Sequence, residues 1–307
     1  MSDNNTPRVV LPDGNSMPVI GLGTGAFQIP GEVTKMAVLE AIKAGYRHFD
    51  TASLYGTEQP LGEAIEEALK LGLVGSRDEL FITSKLWFID AHPDRVVPAL
   101  QKSLWLLKLE YLDLYLIHMP FSAKPESDGL FPSKENIAPL DMKGVWSAME
   151  DCKKLGLAKS IGVSNFPVRT LESLLPVAAI HPCLNQVEMN PTCQQMELRE
   201  YCKEKGILIT AYSPLGAPGT RWGNNRILDN EILTDIAKSH GKSVAQVALR
   251  WLYEQGVGFI AKSYSKERMK QNLEIFDWSL TENDLDKISQ VKQIRLNQEN
   301  PVFEYVA

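Results

Sequence analysis

Four side chains in the first 118 residues could do chemistry together: Asp50, Tyr55, Lys85 and His118. Asp50 lies in YRHFDTA (46–52), Lys85 in LFITSKLW (80–87) and His118 in YLDLYLIHMP (111–120), each near the end of an apolar run; Tyr55 follows Asp50 by five residues. A phenol with an ordinary pKa of about 10 donates its proton poorly at neutral pH. An ammonium nearby stabilises phenolate, so Lys85 is expected to lower the Tyr55 pKa and make it a competent general acid. Asp50 would hold Lys85 in place and protonated, and His118 would orient or polarise a carbonyl oxygen. The set suits protonation of an oxygen that becomes alkoxide as hydride reaches its carbon. No side chain supplies hydride, so the chemistry requires a reduced nicotinamide.

Each residue has a plainer reading: Asp50 as a helix cap, Lys85 as a snorkelling surface amine, His118 as a satisfied core imidazole. Four titratable groups at or just beyond three successive strand ends are harder to explain that way. The second half of the chain offers matching ligands. Ser164-Asn165 and Gln186 could bind a carboxamide, and Tyr212 could stack on a nicotinamide ring. AKSYSKERMKQN (261–272) sets Lys262 and Ser263 at a strand end and Arg268, Gln271 and Asn272 in the following helix. Cations beside a helix N-terminus make an anion site, and a Lys/Arg pair suits a 2′-phosphate, which favours NADP(H) over NAD(H).

What must position these groups is a repeating rhythm. Eight apolar runs, at 17–24, 46–52, 80–87, 111–120, 159–166, 184–191, 207–216 and 257–264, alternate with segments of helical period such as EVTKMAVLEAIKAG. Eight strand–helix units predict an α/β fold, a (β/α)8 TIM barrel, whose C-terminal strand ends carry the site. RVVLPDGNSMPVI reads as an N-terminal β-hairpin plug turning at Asp13-Gly14. Long connections at 119–143 and 216–229, and the tail after Ile294, are expected as substrate loops on the C-terminal face. One rival is a two-domain Rossmann dehydrogenase: GLGTGA (21–26) matches G-x-G-x-x-G/A, and Asp50 ends the next strand. The glycines run into FQIPG rather than a helix, and no linker or change of rhythm divides residues 1–307 into two domains.

Composition narrows the class. At 307 residues and 44% hydrophobic the chain can bury a large core, and a net charge of −6 argues against nucleic-acid or anionic-membrane partners. Cys152, Cys183, Cys193 and Cys202 form no CxxC pair, and His48, His92, His181 and His240 lack ligand spacing, so neither disulfide framework nor metal is expected. His48 alternates with Asp50 and reads as a barrel-interior residue. The start MSDNNTPRVV lacks a leader pattern, so a cytoplasmic monomer acting on a small carbonyl compound is expected.

Three stretches resemble the signatures of the aldo-keto reductases: GYRHFDTASLYGTEQPLG, KKLGLAKSIGVSNF, and IAKSYSKERMKQN, with Ala261 where proline is common. The resemblance covers nearly the whole chain. It implies a (β/α)8 barrel, NADPH-dependent carbonyl reduction and a catalytic tetrad of Asp50, Tyr55, Lys85 and His118. It implies that Ser164, Asn165, Gln186, Tyr212, Ser213, Leu215, Lys262, Ser263, Arg268, Gln271 and Asn272 hold the cofactor, with Gly23, Thr24, Asp50 and Tyr264 beside them. ELFITSKLW, LKLEYLDLYLIH, LREYCK and FDWSLT are similar to plant reductases of specialised metabolism, such as chalcone and codeinone reductases, so an alkaloid or polyketide-like ketone is the expected substrate. Met119 stands where many relatives have tryptophan, which would reshape the pocket lined by Phe27, Trp87, Phe88, Met119 and Trp222, with Tyr55 and His118 at its floor. Trp105, Trp146, Trp251 and Trp278 are expected in core or interhelical packing. The same barrel also allows a cofactor-sensing binding subunit, similar to the β-subunits of potassium channels, that turns over slowly or not at all.

Overall fold

A computed structural model describes residues 6–25, 29–124, 134–220 and 223–295. The chain opens with β1 (Arg8–Val10), antiparallel to β2 (Ser16–Pro18), and Gly14 takes the positive φ of +87° that the turn needs. Leu11 and Met17 of this hairpin are buried against Phe81, Leu114, Leu116, Cys183 and Leu184. Phe81 and Leu184 open their strands, so the hairpin closes the N-terminal end of the barrel, as the sequence suggests.

The barrel begins with β3 (Ile20–Gly23), β4 (His48–Asp50), β5 (Phe81–Leu86) and β6 (Leu112–Ile117). A small antiparallel pair, β7 (Phe121–Ala123) and β8 (Ile137–Pro139), interrupts it. It resumes with β9 (Ala158–Ser164), β10 (Leu184–Glu188), β11 (Leu208–Tyr212) and β12 (Gly258–Ala261), and β12 pairs in parallel with β3 to close the ring. Seven of the eight staves fall within their apolar runs, and β9 starts one residue before its run, at Ala158. Around them lie α1 (Gly31–Ala44), α2 (Glu58–Lys70), α3 (Val96–Leu107), α4 (Met142–Lys154), α5 (Val168–Leu174), α6 (Met196–Glu204), α7 (Glu231–His240), α8 (Val244–Glu254), α9 (Lys266–Leu273) and α10 (Glu282–Ser289). Every residue of β5 and β6 is buried, because side chains alternate between the lumen and the helix layer and both are packed.

The closed ring replaces the Rossmann alternative and gives GLGTGA a different role. A Cβ on Gly21 would lie 2.7 Å from Ile260 Cδ1, and one on Gly23 would lie 2.8 Å from Ile260 Cγ2. These glycines let β3 approach β12 where the ring shuts.

Two expectations are corrected. The connection 119–143 is not wholly a loop, since its ends pair as β7 and β8. Trp105 is 76% exposed rather than packed: on α3 the buried face is Val96, Leu100, Ser103, Leu104 and Leu107, and position 105 points away from it. Trp146 and Trp251 are buried and Trp278 is part-buried against the core. The tail beyond Arg295 lies outside the described residues. No described helix is long and apolar enough to cross a membrane.

Gly62 shows how tightly the helix layer fits. It lies on the buried face of α2 with Leu61 and Ile65, and a Cβ there would collide with the Leu107 carbonyl at the end of α3. Backbone cannot yield as a side-chain tip can. Gly62→Ala is expected to destabilise the protein by about 1–3 kcal/mol despite alanine's better helix propensity, read as a lower urea midpoint.

Candidate active site

The register between β4 and β5 sets the centre of the site. Asp50 is paired with Thr83, so Lys85, two residues on, shares the Thr83 face and reaches back over Asp50. Its ammonium donates to Asp50 Oδ1 at 2.5 Å and to the Thr51 carbonyl at 2.9 Å. The two side chains are 1% and 5% exposed. An ion pair taken this far from water persists only when its remaining lone pairs and protons are also met. Gln186 Nε2 meets the other oxygen, donating to Asp50 Oδ2 at 2.8 Å. β10 lies four strands from β4 in either direction round the ring, so this bond spans the lumen.

Tyr55 ends a short 3-10 turn, Ser53–Tyr55, that Gly56 terminates with φ +67°. The turn is tied to β5 by Ser53 Oγ, which donates to the Lys85 carbonyl at 3.1 Å. Lys85 Nζ stands 5.2 Å from the Tyr55 ring centroid, and the His118 ring meets Tyr55 edge-on at 5.7 Å. A Cβ on Gly25 would press on the Tyr55 ring at 3.2 Å, so that glycine leaves the ring room. The four sequence-predicted groups therefore converge at one end of the lumen.

Their electrostatics differ from the sequence expectation at one point. The Tyr55 phenol is raised above its ordinary value, first by burial and then by the negative charge of Asp50. The Lys85 amine is lowered by burial, against which Asp50 acts. The ammonium is spent on Asp50 and the Thr51 carbonyl, so it does not make the phenol acidic at rest. Tyr55 is a protonated donor. His118 is held well below the ordinary histidine range by burial and by Lys85, and stays a neutral imidazole. Its Nδ1 is buried and has no partner among the described residues.

On the far half of the ring, Ser164 Oγ donates to the Gln186 carbonyl at 2.8 Å. Asn165, at φ +63°, accepts from Tyr212 Oη at 2.8 Å and directs Nδ2 at the His118 carbonyl at 3.0 Å. Ser213 also takes a left-handed φ of +48°, an unfavourable conformation for serine that is typical of a shaped site. Leu215 packs against the core. Thr24 is buried, its hydroxyl bonded to the Asp50 carbonyl at 3.1 Å and to Thr57 Oγ1 at 2.8 Å, while Gly23 pairs with Asp50 in the sheet. Lys262 Nζ donates to the Gly25 carbonyl at 3.0 Å. Ser263 Oγ and Ser265 cap the start of α9; Tyr264, Arg268 and Gln271 are exposed there and Asn272 is buried.

These residues fit a dinucleotide by their own chemistry: an aromatic shelf at Tyr212, two left-handed residues shaping the rim, and an exposed Lys/Arg pair beside a helix start. Trp87, Phe88 and Met119 form a buried cluster with Phe121 and Ala123, against which Leu54, Ile89 and Ile137 pack. Phe27 and Trp222 lie outside the described residues. The sequence did not reveal the second layer. Thr51 supplies a carbonyl to Lys85, Thr57 bridges Thr24 and Thr51, and Glu58 accepts from Ser84 Oγ at 2.6 Å while only 2% exposed. Glu58 shares the buried face of α2 with Leu61 and Ile65, a spacing that could have marked it.

A (β/α)8 barrel with a buried carboxylate–ammonium pair, a phenol and a neutral imidazole at its mouth defines an oxidoreductase class. The aldo/keto reductase family profile matches residues 19–293, and the chain belongs to that family. It is 59% identical over 291 residues to a 7-acetyl-epi-neemfruitin B aldo-keto reductase of Melia azedarach, covering 94% of this chain and 90% of the other. It is 57% identical to an NAD(P)H-dependent 6'-deoxychalcone synthase of Glycine max, over 94% and 92% of the two chains. It is 55% identical to NADPH-dependent codeinone reductase 1-4 of Papaver somniferum, over 96% and 92%. Among solved structures, a Bombyx mori aldo-keto reductase in complex with NADP superposes with a TM-score of 0.85 at 41% identity, over 94% and 93% of the chains.

Below the tetrad, His48 sits between the Pro18 carbonyl, 3.2 Å from Nδ1, and Thr83 Oγ1, 3.1 Å from Nε2. That pattern fits a neutral ring with the proton on Nδ1. Burial pushes its pKa down to about 4, with Asp50 and Pro18 opposing. The unfolded chain binds a proton at about pH 6.5 that the folded ring refuses until about 4, so stability is full above the higher value and falls between them, by about 3 kcal/mol in all. Urea unfolding at pH 7 and pH 5 checks this: His48→Gln should lose less stability than wild type on acidification. Equal losses would assign the acid sensitivity elsewhere.

Proposed function

We propose that the chain is an NADPH-dependent reductase of a ketone or aldehyde, acting on a plant specialised metabolite of alkaloid or polyketide-like type. We read residues 1–307 as one barrel domain working as a cytoplasmic monomer; the staves, drawn from residues 20 to 261, support one barrel among the described residues. The observation that carries the reading is the Asp50–Lys85 pair set beside Tyr55 and edge-on His118 at the end of the lumen. The named relatives, at 55–59% identity, support the substrate class.

When bound, a reduced nicotinamide supplies the hydride. Tyr212, Ser164, Asn165, Gln186 and Ser213 would hold its ring end, Gly23, Thr24, Leu215 and Ser263 would line its path, and Lys262, Tyr264, Arg268, Gln271 and Asn272 would take the 2′-phosphate end. His118, kept neutral, orients the carbonyl oxygen toward Tyr55. Tyr55 Oη gives its proton as negative charge develops on that oxygen, and the phenolate is stabilised by Lys85 as it forms. Asp50 fixes Lys85 and balances its charge. Proton transfer is thereby tied to the reacting oxygen, because burial holds the proton on the phenol until then.

The test is loss of NADPH absorbance with aromatic aldehydes and cyclic ketones. Tyr55→Phe should lower kcat by about 10²-fold or more while NADPH affinity stays within a few-fold; unchanged turnover would remove Tyr55 from the chemistry. Tight NADPH binding by wild type without any turnover would favour the cofactor-sensing subunit. Arg268→Ala should weaken NADPH by about 10-fold or more and leave NADH nearly unaffected, since a charge-assisted contact to phosphate is lost only for the former. Equal losses for both cofactors would refute the 2′-phosphate role.

A further inference from the structure

Thr57 stands just before α2, where a threonine hydroxyl ordinarily accepts from the first N–H groups of its own helix. It makes no such bond here. Every other described α-helix that begins after Ser, Thr, Asp or Asn is capped in that way: by Asp141 at α4, Asn230 at α7, Ser243 at α8, Ser265 at α9 and Thr281 at α10. At α2 the hydroxyl is engaged elsewhere.

Thr57 Oγ1 lies 2.8 Å from Thr24 Oγ1 and 2.9 Å from Thr51 Oγ1, and all three residues are buried. Each hydroxyl owns one proton, which fixes the direction of the bonds. Thr24 donates to the Asp50 carbonyl at 3.1 Å, so it accepts from Thr57; Thr57 then has no proton left for Thr51 and accepts from it. The chain runs one way, from Thr51 through Thr57 and Thr24 to the Asp50 carbonyl, and bonds aligned head to tail strengthen one another. Its two ends therefore fall on adjacent residues. Those residues carry the grip on Lys85, whose ammonium donates to the Asp50 carboxylate and to the Thr51 carbonyl.

Tyr55 is tied to the same chain from two sides. It precedes Thr57 by two residues, across Gly56 at φ +67°. Gly25, whose missing Cβ leaves the Tyr55 ring room, directly follows Thr24. Thr57 is the middle member, so removing its oxygen cuts the chain in two. The next residue, Glu58, moors the start of α2 to β5 independently by accepting from Ser84 Oγ at 2.6 Å.

We propose that Thr57 is a positioning residue for proton delivery: its hydroxyl holds the Asp50–Thr51 peptide against Lys85 and the Tyr55 turn against that pair. Phenol and ammonium thereby keep the spacing that the reduction needs. The inference rests on the carbonyl-reductase reading above and adds a residue outside the tetrad on which its proton step depends.

The test uses the full chain with NADPH and an aromatic aldehyde, with kcat counted per NADPH-binding site so that misfolded protein does not contribute. Thr57→Val keeps the shape and removes the hydroxyl; it should lower kcat by about tenfold or more while NADPH affinity stays within a few-fold, because small displacements of a reacting group cost rate steeply. The slowed proton step should raise the ratio of kcat in H2O to kcat in D2O above that of wild type. Thr57→Ser, which restores the hydroxyl, should return both kcat and the isotope ratio toward wild type. Thr51→Val breaks the chain one bond earlier and should slow kcat and raise the isotope ratio in the same direction. Wild-type kcat in Thr57→Val, a loss with an unchanged isotope ratio, or a loss that Thr57→Ser does not repair overturns the assignment and leaves the reductase reading intact. If Thr57→Val does not fold, an unaltered kcat or isotope ratio in Thr51→Val overturns it equally. Wild type that reduces no carbonyl with NADPH defeats both.

Discussion

Two opposite charges buried in the lumen constrain most of what surrounds them. Neither Asp50 nor Lys85 could stand alone where they are; removing one partner of such a pair typically costs about 3–5 kcal/mol because the other is stranded. Their attraction is not enough by itself, and the fold adds the Thr51 carbonyl beneath the ammonium and the Gln186 amide across the barrel. Those additions fix geometry. Thr51 must follow β4 directly, β5 must pair with β4 so that Lys85 lies two residues beyond the Asp50 level, and β10 must stand opposite. An eight-stave ring meets all three conditions, and its closure at β3 and β12 rests in turn on two glycines that let Ile260 in.

In the mechanism proposed above, the same pair lets a buried phenol work at neutral pH without being acidic at rest. Burial and Asp50 both oppose phenolate, and Lys85 favours it. Because Lys85 is neutralised by Asp50, its help is modest while nothing nearby carries new charge. Once negative charge appears on an oxygen hydrogen-bonded to Tyr55, the proton has somewhere to go, and the ammonium lies within reach of the phenolate left behind. The sequence-based expectation is a phenol acidified by Lys85; at rest burial and Asp50 raise it instead, and the mechanism proposed above has its proton held until it is needed.

Most of this was legible in the sequence because its signals are short-range. The eight staves are apolar runs with β-branched and aromatic residues, the hairpin turns at Asp-Gly, and the tetrad stands at or beside strand ends. What escaped depends on distances between segments remote in sequence. Nothing local tells that Gly21 faces Ile260 or that Gln186 reaches Asp50 across the lumen, and the spacing of Glu58 with Leu61 and Ile65 marks its face but not its partner Ser84. Trp105 failed for a related reason: its type suggested burial, but its helical phase puts it opposite Val96 and Leu107 on the buried face. The ends of 119–143 pair as strands because Phe121–Ala123 is buried against the pocket, which composition alone does not convey.

Asn165 links the halves of the site. Its left-handed backbone is a conformation asparagine tolerates better than most residues, and it turns one carboxamide toward four partners. Oδ1 accepts from Tyr212, while Nδ2 faces the His118 carbonyl, Ser164 Oγ and Met119 Sδ. The aromatic shelf proposed for the nicotinamide is thus joined through one side chain to the backbone of His118, proposed to orient the carbonyl, and to Met119 in the buried cluster. Methionine is adaptable, and here its sulfur is one of the atoms that the amide reaches. A change of residue at 119 therefore alters more than pocket volume. It alters what Asn165 can bond to and, through Asn165, bears on Tyr212 and His118 together, so under the proposed site assignments substrate shape and cofactor position would be coupled.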